Sequence, residues 1–220
     1  MGTKYHKIQS LYKRDRVTKQ FTTEFSRPEF EYLYGLQWTG FEKINGTNIR
    51  IIWNMTILDD DPRVEIEGRG DNSQIPTGLL KKLQEMFPVE KMLKVFDRPG
   101  FESPVILYGE GVGPKIQAGE RNSKDFDFIL FDIRIGRWWL LQDDVSNIAK
   151  SMGLKRAPEI FDGNLGNAEI AVQCGFPSRI ADDFTLPAEG LVLRPKLDLF
   201  ARNGDRIITK LKTKDYLETT

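Results

Sequence analysis

Five short segments carry side chains that could do chemistry on a phosphate. The first, Glu42-Lys43-Ile44-Asn45-Gly46-Thr47-Asn48, sets a lysine on a turn just before a strand, with a glycine three residues on that lets a ligand approach the backbone. A lysine amine is a nucleophile when neutral, although at pH 7 it is normally protonated. The second, Gly68-Arg69-Gly70-Asp71-Asn72-Ser73, offers a phosphate the planar fork of an arginine. In the third, Leu107-Tyr108-Gly109-Glu110-Gly111-Val112-Gly113-Pro114, an acid leaves a buried strand into glycines. That spacing is not the dinucleotide fingerprint, because Pro114 follows and no helix pattern starts there. The fourth, Phe128-Ile129-Leu130-Phe131-Asp132-Ile133, ends a strand with an aromatic that could stack on a base. The fifth pairs Glu189-Gly190-Leu191-Val192-Leu193-Arg194-Pro195 with Lys210-Leu211-Lys212, whose two lysines at alternate strand positions face one side.

Each segment alone has a plainer explanation. A lone lysine is usually a solvated surface residue, and Gly46 can serve only its turn. Arg69 suits an exposed hairpin end, 109–113 a simple glycine loop, 128–133 a core strand, and Lys210 with Lys212 a charged solvent face. Their occurrence together, in this order, argues for a site, because independent accidents multiply.

The elements that must position these segments are mostly strands. Residues 48–55 are rich in isoleucine and predict a strand, with 63–68 as its hairpin partner and the acidic 59–62 as the turn between them. Residues 77–87 carry Leu79, Leu80, Leu83 and Met86 at helical spacing and stop at Pro88; a second helix is predicted over 89–96. Strands are predicted over 105–110 and 126–135. A helix is expected over 143–152, with an acidic start and Gly153 at its end, and another over 167–174. The last two predicted strands are 191–194 and 206–211, with a turn at Asn203-Gly204. Helices and strands intermingle without a βαβ rhythm, which predicts an α+β fold with antiparallel sheets rather than a doubly wound parallel one.

The 220 residues fit one substantial domain or two small ones, and 40% of them are hydrophobic, enough for a sizeable core. The formal net charge is zero, which excludes a protein that grips nucleic acid by bulk charge but not one with a local basic groove. Positive charge does gather at the two ends: Lys4, Lys7, Lys13, Arg14, Arg16 and Lys19, then Lys210, Lys212 and Lys214. The apolar runs are too short to span a bilayer, and the polar, basic start shows no secretory signal. The single cysteine, Cys174, forbids an intramolecular disulfide, so a cytoplasmic, reducing setting is expected. That setting makes Arg69-Gly70-Asp71 a poor adhesion motif and leaves Asn45 and Asn54 unglycosylated. His6 is the only histidine, which rules out histidine-rich zinc sites.

The five segments, in order, resemble the motifs of the covalent nucleotidyltransferase superfamily: ATP-dependent DNA and RNA ligases and mRNA capping enzymes. These share a lysine-x-Asp-Gly nucleophile motif, an acidic third motif, an aromatic motif, a Glu-Gly-x-Val motif and a final Lys-x-Lys. Glu42 to Asn48 is most similar to the Glu-Lys-x-His-Gly-Thr-Asn of nick-sealing RNA ligases from phages and kinetoplastid editing complexes. The opening His6-Lys7-Ile8-Gln9-Ser10-Leu11-Tyr12, the Gly113-Pro114 and Ile116-Gln117 pairs, and residues 153–158 look like the same family, so the likeness spans nearly the whole chain. Asn45 departs from the pattern, since the superfamily has Asp there and this branch often His. The sequence stops just after the last motif, so the expectation is a single adenylyltransferase domain, 1–220, without the C-terminal domain most such ligases use on nucleic acid.

The resemblance implies the nucleotidyltransferase fold, antiparallel sheets flanked by helices with the ATP site between them. It also implies a reaction in three steps: Lys43 takes AMP from ATP, AMP passes to an RNA 5′-phosphate, and a 3′-hydroxyl displaces it. Catalysis is then assigned to Lys43, Glu189, Lys210 and Lys212, and nucleotide binding to Glu42, Ile44, Asn48, Arg69, Glu110, Phe131, Glu189, Lys210 and Lys212. Glu110 and Asn48 would hold the ribose and the motif loop. Phe131 would stack on adenine, with Phe128 on the same strand as the competing choice. Glu189 would orient a metal-bound water or the amine, and Arg69 would meet a phosphate or ribose. Lys210, Lys212 and Mg²⁺ would disfavour a third positive charge on Lys43 and stabilise the α-phosphate in the transition state. Mg²⁺ in such sites rides on phosphates and water, so no direct protein ligand is assigned. The expected partners are RNA ends and a protein or RNA element that helps recognise them, and no membrane. Three other readings stay open: a capping-type guanylyltransferase, a DNA ligase core, and a non-catalytic RNA-binding relative. The first two usually carry an oligonucleotide-binding domain and more often arginine at the Asn48 position. The third would be expected to have lost at least one of the motif residues, all of which are present.

Overall fold

The computed structural model describes residues 4–56, 59–70, 73–96, 103–117, 123–183 and 185–217. The strands in chain order are β1 (Gln9–Ser10), β2 (Tyr12–Arg14), β3 (Phe21–Phe25), β4 (Trp38–Glu42), β5 (Thr47–Thr56), β6 (Asp59–Gly68), β7 (Val105–Val112), β8 (Asp127–Ile135), β9 (Trp138–Trp139), β10 (Lys155–Arg156), β11 (Glu159–Gly163), β12 (Gly190–Pro195) and β13 (Thr209–Lys212). The helices are α1 (Pro28–Tyr32), α2 (Thr77–Met86), α3 (Val89–Phe96), α4 (Gln142–Met152), α5 (Leu165–Cys174) and α6 (Lys214–Leu217). This is the expected α+β class, with sheets that are antiparallel apart from short parallel pairings by β1 and β10. Two compact units divide the chain: residues 45–157 with the N-terminal tip, and 6–44 with 158–220. No helix among the described residues is long and apolar enough to cross a membrane.

The first unit is a sheet in the order β10-β8-β7-β5-β6, with β9 added to β8. Alternation along β5 sends Ile49, Ile51 and Trp53 to one face. There they meet Leu79 and Leu83 of α2, Met92 and Phe96 of α3, and Val145, Ala149 and Met152 of α4 in one core. Each helix buries residues three or four apart, the stripe expected of a helix lying on a sheet. Burying one such side chain stabilises the fold by roughly 1.5–3 kcal/mol. The other face carries Ile52, Ile106 and Tyr108, with Tyr5, Phe131 and Trp139 packed against them.

Two predicted boundaries are corrected here. Residues 59–62 are not a turn: β6 begins at Asp59, opposite Thr56, and a register shift between Asn54 and Thr56 carries the ladder that far. Pro62 is compatible with β6 because that strand lies at the edge of the sheet. Glycines 109 and 111 do not form a loop either; they stay in β7, where a Cβ would press on Phe128 and on Leu79. Asp71 and Asn72 of the second segment lie outside the described residues.

The second unit is a sheet in the order β1-β13-β12-β4-β11, with the β2–β3 hairpin, α1, α5 and α6. Its core gathers Leu11, Phe30, Trp38, Leu165, Val172, Leu191, Leu193 and Leu211. Of the predicted strand 206–211 only 209–211 joins the sheet, in a strand that runs on to Lys212; Arg206 forms an isolated bridge with Phe200 after the turn at Gly204. Strands β4 and β11 and the β2–β3 hairpin were not predicted.

One polar cluster ties this unit's elements together. Tyr12 and Tyr34 donate to Glu169 Oε2 at 3.1 and 2.7 Å, and Tyr216 donates to Oε1 at 3.3 Å. Burial, and then the Glu169 charge, push the Tyr12 and Tyr216 phenols above the ordinary value, so both stay protonated donors. A phenol with a raised folded-state pKa contributes stability that is complete below about pH 10 and lost as pH climbs above it. Denaturant melts should therefore lose stability steadily above about pH 10. In Glu169→Gln that loss should be shallower, at a cost of about 1–3 kcal/mol at neutral pH.

Candidate active site

The core of the second unit leaves the opposite sheet face to polar residues. β12 pairs with β4 on one side and β13 on the other, with Gly190 opposite Lys212 and Val192 opposite both Lys210 and Phe41. On β13, Thr209 and Leu211 point inward, which leaves Lys210 and Lys212 together on the outer face, as their spacing predicts. Lys43 follows directly on β4, and its backbone N–H donates to Gly190 O at 2.9 Å. The main chain thereby sets the first and fifth sequence segments side by side.

The side chains complete the arrangement. Lys43 Nζ lies 2.6 Å from Glu189 Oε2, and Lys212 Nζ lies 2.9 Å from Glu189 Oε1. One carboxylate thus bridges two ammonium groups, and the three side chains are only 17–26% exposed. Two cations against one anion leave a net positive cluster, with Lys210 on the same strand face, which suits a phosphate. Lys43 Nζ also reaches the Ile44 carbonyl at 3.4 Å, and the Ile44 side chain is buried. Glu189 is fixed through its own carbonyl, which accepts from Thr213 N–H at 2.9 Å.

Glu42 points the other way and is 3% exposed. Its carboxylate accepts from the Ser178 hydroxyl and, at 2.8 Å, from Arg179 N–H. In this geometry Glu42 anchors the 178–181 turn beneath the end of β4. Nothing local in the sequence marks Ser178, because its partner is 136 residues away.

Gly190 is indispensable to the site's backbone. Its φ is +146°, and a Cβ there would sit 2.0 Å from Leu211 O and 2.8 Å from Lys212 Cα. Gly190→Ala should destabilise the protein by at least about 2 kcal/mol and displace Lys212, to be read from a thermal melt beside a nucleotide-labelling assay.

The remaining predicted residues belong to the first unit. Asn48 on β5 sits directly opposite Glu110 on β7. Alternation puts both on the face away from the helices, since Ile49 and Gly111 face α2. Phe131 is the extra residue of a bulge in β8, where Tyr108 pairs with Asp132 but Gly109 with Leu130. The bulge turns Phe131 onto the same face, with its ring edge-on to Tyr5 at 5.1 Å. Phe128 is fully buried on the helix side against Phe87, at 5.2 Å, so of the two candidate aromatics Phe131 alone lies on the face of Asn48 and Glu110. Arg69 is exposed just beyond β6. Tyr5 lies outside the five segments, yet it buttresses the bulge, its hydroxyl donating to Asp132 at 2.8 Å.

A family model for RNA ligase matches residues 36–212, and the chain belongs to the RNA ligase family. Among solved structures it is similar to Naegleria gruberi RNA ligase. One variant of that enzyme, with ATP and Mn, is 20% identical over 98% of this chain, with a TM-score of 0.62. The form with PPi matches at 20% identity over 98% and a TM-score of 0.62, and a variant with AMP and Mn at 19%, 97% and 0.62. The shared property at this identity is the fold. The chain spans 62–63% of the length of those three structures. No curated protein matches it closely.

Proposed function

We propose that residues 1–220 act as the adenylyltransferase domain of an ATP-dependent RNA ligase that works through a covalent lysyl-adenylate on Lys43. The observation that carries this reading is the shared carboxylate: Glu189 holds Lys43 and Lys212 at 2.6 and 2.9 Å in a member of the RNA ligase family. An ammonium has no lone pair, so the ion-paired Lys43 must give up a proton before it reacts. Glu189 Oε2 is within reach to take it. The amine then forms a bond to the α-phosphorus of ATP, the α–β bridging P–O bond breaks, and pyrophosphate leaves. Lys212, with Lys210 on the same strand face, stabilises the charge that builds on the α-phosphate oxygens.

The first-unit residues suit the nucleoside. Phe131 offers its ring to adenine, while Asn48 and Glu110 hold the ribose and motif loop; Arg69 meets a phosphate. Ile44 and Glu42 position the lysine between them. A divalent cation, Mg²⁺ in the cell, would supply charge neutralisation on the phosphates, in keeping with the ATP and Mn of the Naegleria enzyme. The Glu189 carboxylate, already shared by two lysines, suits orienting an amine better than ligating a bare cation.

In the later steps an RNA 5′-phosphate oxygen attacks the lysyl-AMP phosphorus and releases the lysine. A 3′-hydroxyl then attacks the activated 5′-phosphate, and AMP leaves. A nicked RNA duplex with a 5′-phosphate, mixed with enzyme already labelled from ATP, tests this. The expected result is transfer of AMP to the RNA end, followed by a sealed strand. An enzyme that labels from GTP instead is a capping-type transferase, and one that passes AMP only to DNA ends is a DNA ligase. Enzyme that never labels is a non-catalytic relative.

A further inference from the structure

The β2–β3 hairpin and α6 border an open groove that the chemistry above does not use. It measures about 280 Å³ and is lined by Tyr12, Phe21, Thr22, Thr23, Asp215 and Tyr216. Three aromatic rings form its wall: Phe21 lies 6.3 Å from Tyr12 and 6.0 Å from Tyr216. The phenols of Tyr12 and Tyr216 are tethered to Glu169, so these rings are held in place before any ligand arrives. Arg14 lies over the Phe21 ring at 4.1 Å and is paired with Asp215 at 2.5 Å. The hairpin continues into an exposed tip, residues 13–20, where Lys13 is paired with Glu24 and Arg14 with Asp215, and where Arg16 and Lys19 stand beside the acid Asp15. In a chain of zero net charge this is a local basic patch beside an aromatic pocket.

From this juxtaposition we infer that the hairpin groove is a seat for an unpaired RNA nucleotide: its base lies against Phe21 and Tyr216, and its flanking phosphates meet Arg16 and Lys19. The inference rests on the ligase reading and adds to it a place for the RNA strand on the second unit. Aromatic faces accept any base, arginines pair with phosphate through two N–H groups, and the two together are how single strands are held without sequence preference. Thr23 lines the pocket where the polar edge of a base would need a partner.

The test is fluorescence anisotropy of the whole protein with a labelled single-stranded oligoribonucleotide, over a salt series, with self-adenylylation from ATP measured on the same preparations. Phe21→Ala should bind about ten-fold more weakly and still label with ATP. Arg16→Gln with Lys19→Gln, which leaves the aromatic wall in place, should flatten the log–log salt slope by about 0.7 for each cation lost. RNA binding and salt slope both unchanged in these variants, with labelling intact, would overturn the inference while leaving the ligase reading in force. Loss of labelling in the wild-type protein would instead strike the ligase reading itself.

Discussion

Lys43→Ala should carry no nucleotide after denaturation, whatever the ATP concentration, while its melting temperature stays close to that of the parent. The reason is chemical. The reaction needs one amine in line with the α-phosphate, and the chain fixes Lys43 for this at both ends, through its N–H on Gly190 O and its Nζ on Glu189. Lys43→Arg should be just as inactive, because a guanidinium is not deprotonated at any usable pH and offers no nucleophile. Partial rescue by arginine would mean that position 43 contributes only charge. The side chain is 19% exposed and paired with one carboxylate, so its removal is not expected to cost more than about 1–2 kcal/mol of stability. A gel with α-labelled ATP and a thermal melt separate the two effects.

Glu189→Gln is the second large effect. The amide keeps the size of the side chain and one acceptor oxygen, but it loses the charge that bridges Lys43 and Lys212 and can no longer take a proton from the amine. Labelling should slow by about 10²–10⁴-fold, the usual scale for losing a positioned acid–base group. Lys212→Ala removes a cation from the α-phosphate and should cost about 10²–10³-fold. Raising the pH tells these apart. If Glu189 serves to draw a proton from Lys43, alkaline buffer restores part of the Gln variant's rate and none of the deficit in Lys212→Ala. Should Glu189→Gln label at the parental rate, the bridge is structural only. Because Glu189, Lys43 and Lys212 touch, the double variants should fall short of the product of the single effects.

Where the sequence pattern was strong, the fold could be read from it. The isoleucine alternation of 48–55, the i, i+4 spacing of 77–87 and the Gly153 stop each produced the element expected, because local periodicity and burial agreed. Strand β4 escaped because Gly40 interrupts a short mixed stretch. A Cβ at Gly40 would come within 2.9 Å of Phe161 and 3.0 Å of Leu193, so the glycine is required by neighbours far along the chain. The β2–β3 hairpin escaped for a related reason: its Tyr12 is held by Glu169 on a distant helix. At the site, residue types and their order nominated Lys43, Glu189, Lys210 and Lys212, and the structure sets Lys43 and Lys212 on Glu189. What sequence could not supply was the bridge, since the two sides of the Lys43–Glu189 pair stand 146 residues apart. For the same reason Glu42, grouped with the nucleotide-binding residues from its place beside Lys43, has its carboxylate turned to Ser178 and Arg179.

The most direct test of the account is to find where the nucleotide sits. The purified protein, incubated with ATP and Mg²⁺, is examined by intact mass and then by peptide mapping, with GTP in a parallel sample. The account predicts a mass gain of one AMP from ATP alone, localised to the peptide and residue of Lys43. An adduct on Lys210 or Lys212, or no adduct from ATP on folded protein shown to be free of bound AMP, would contradict it.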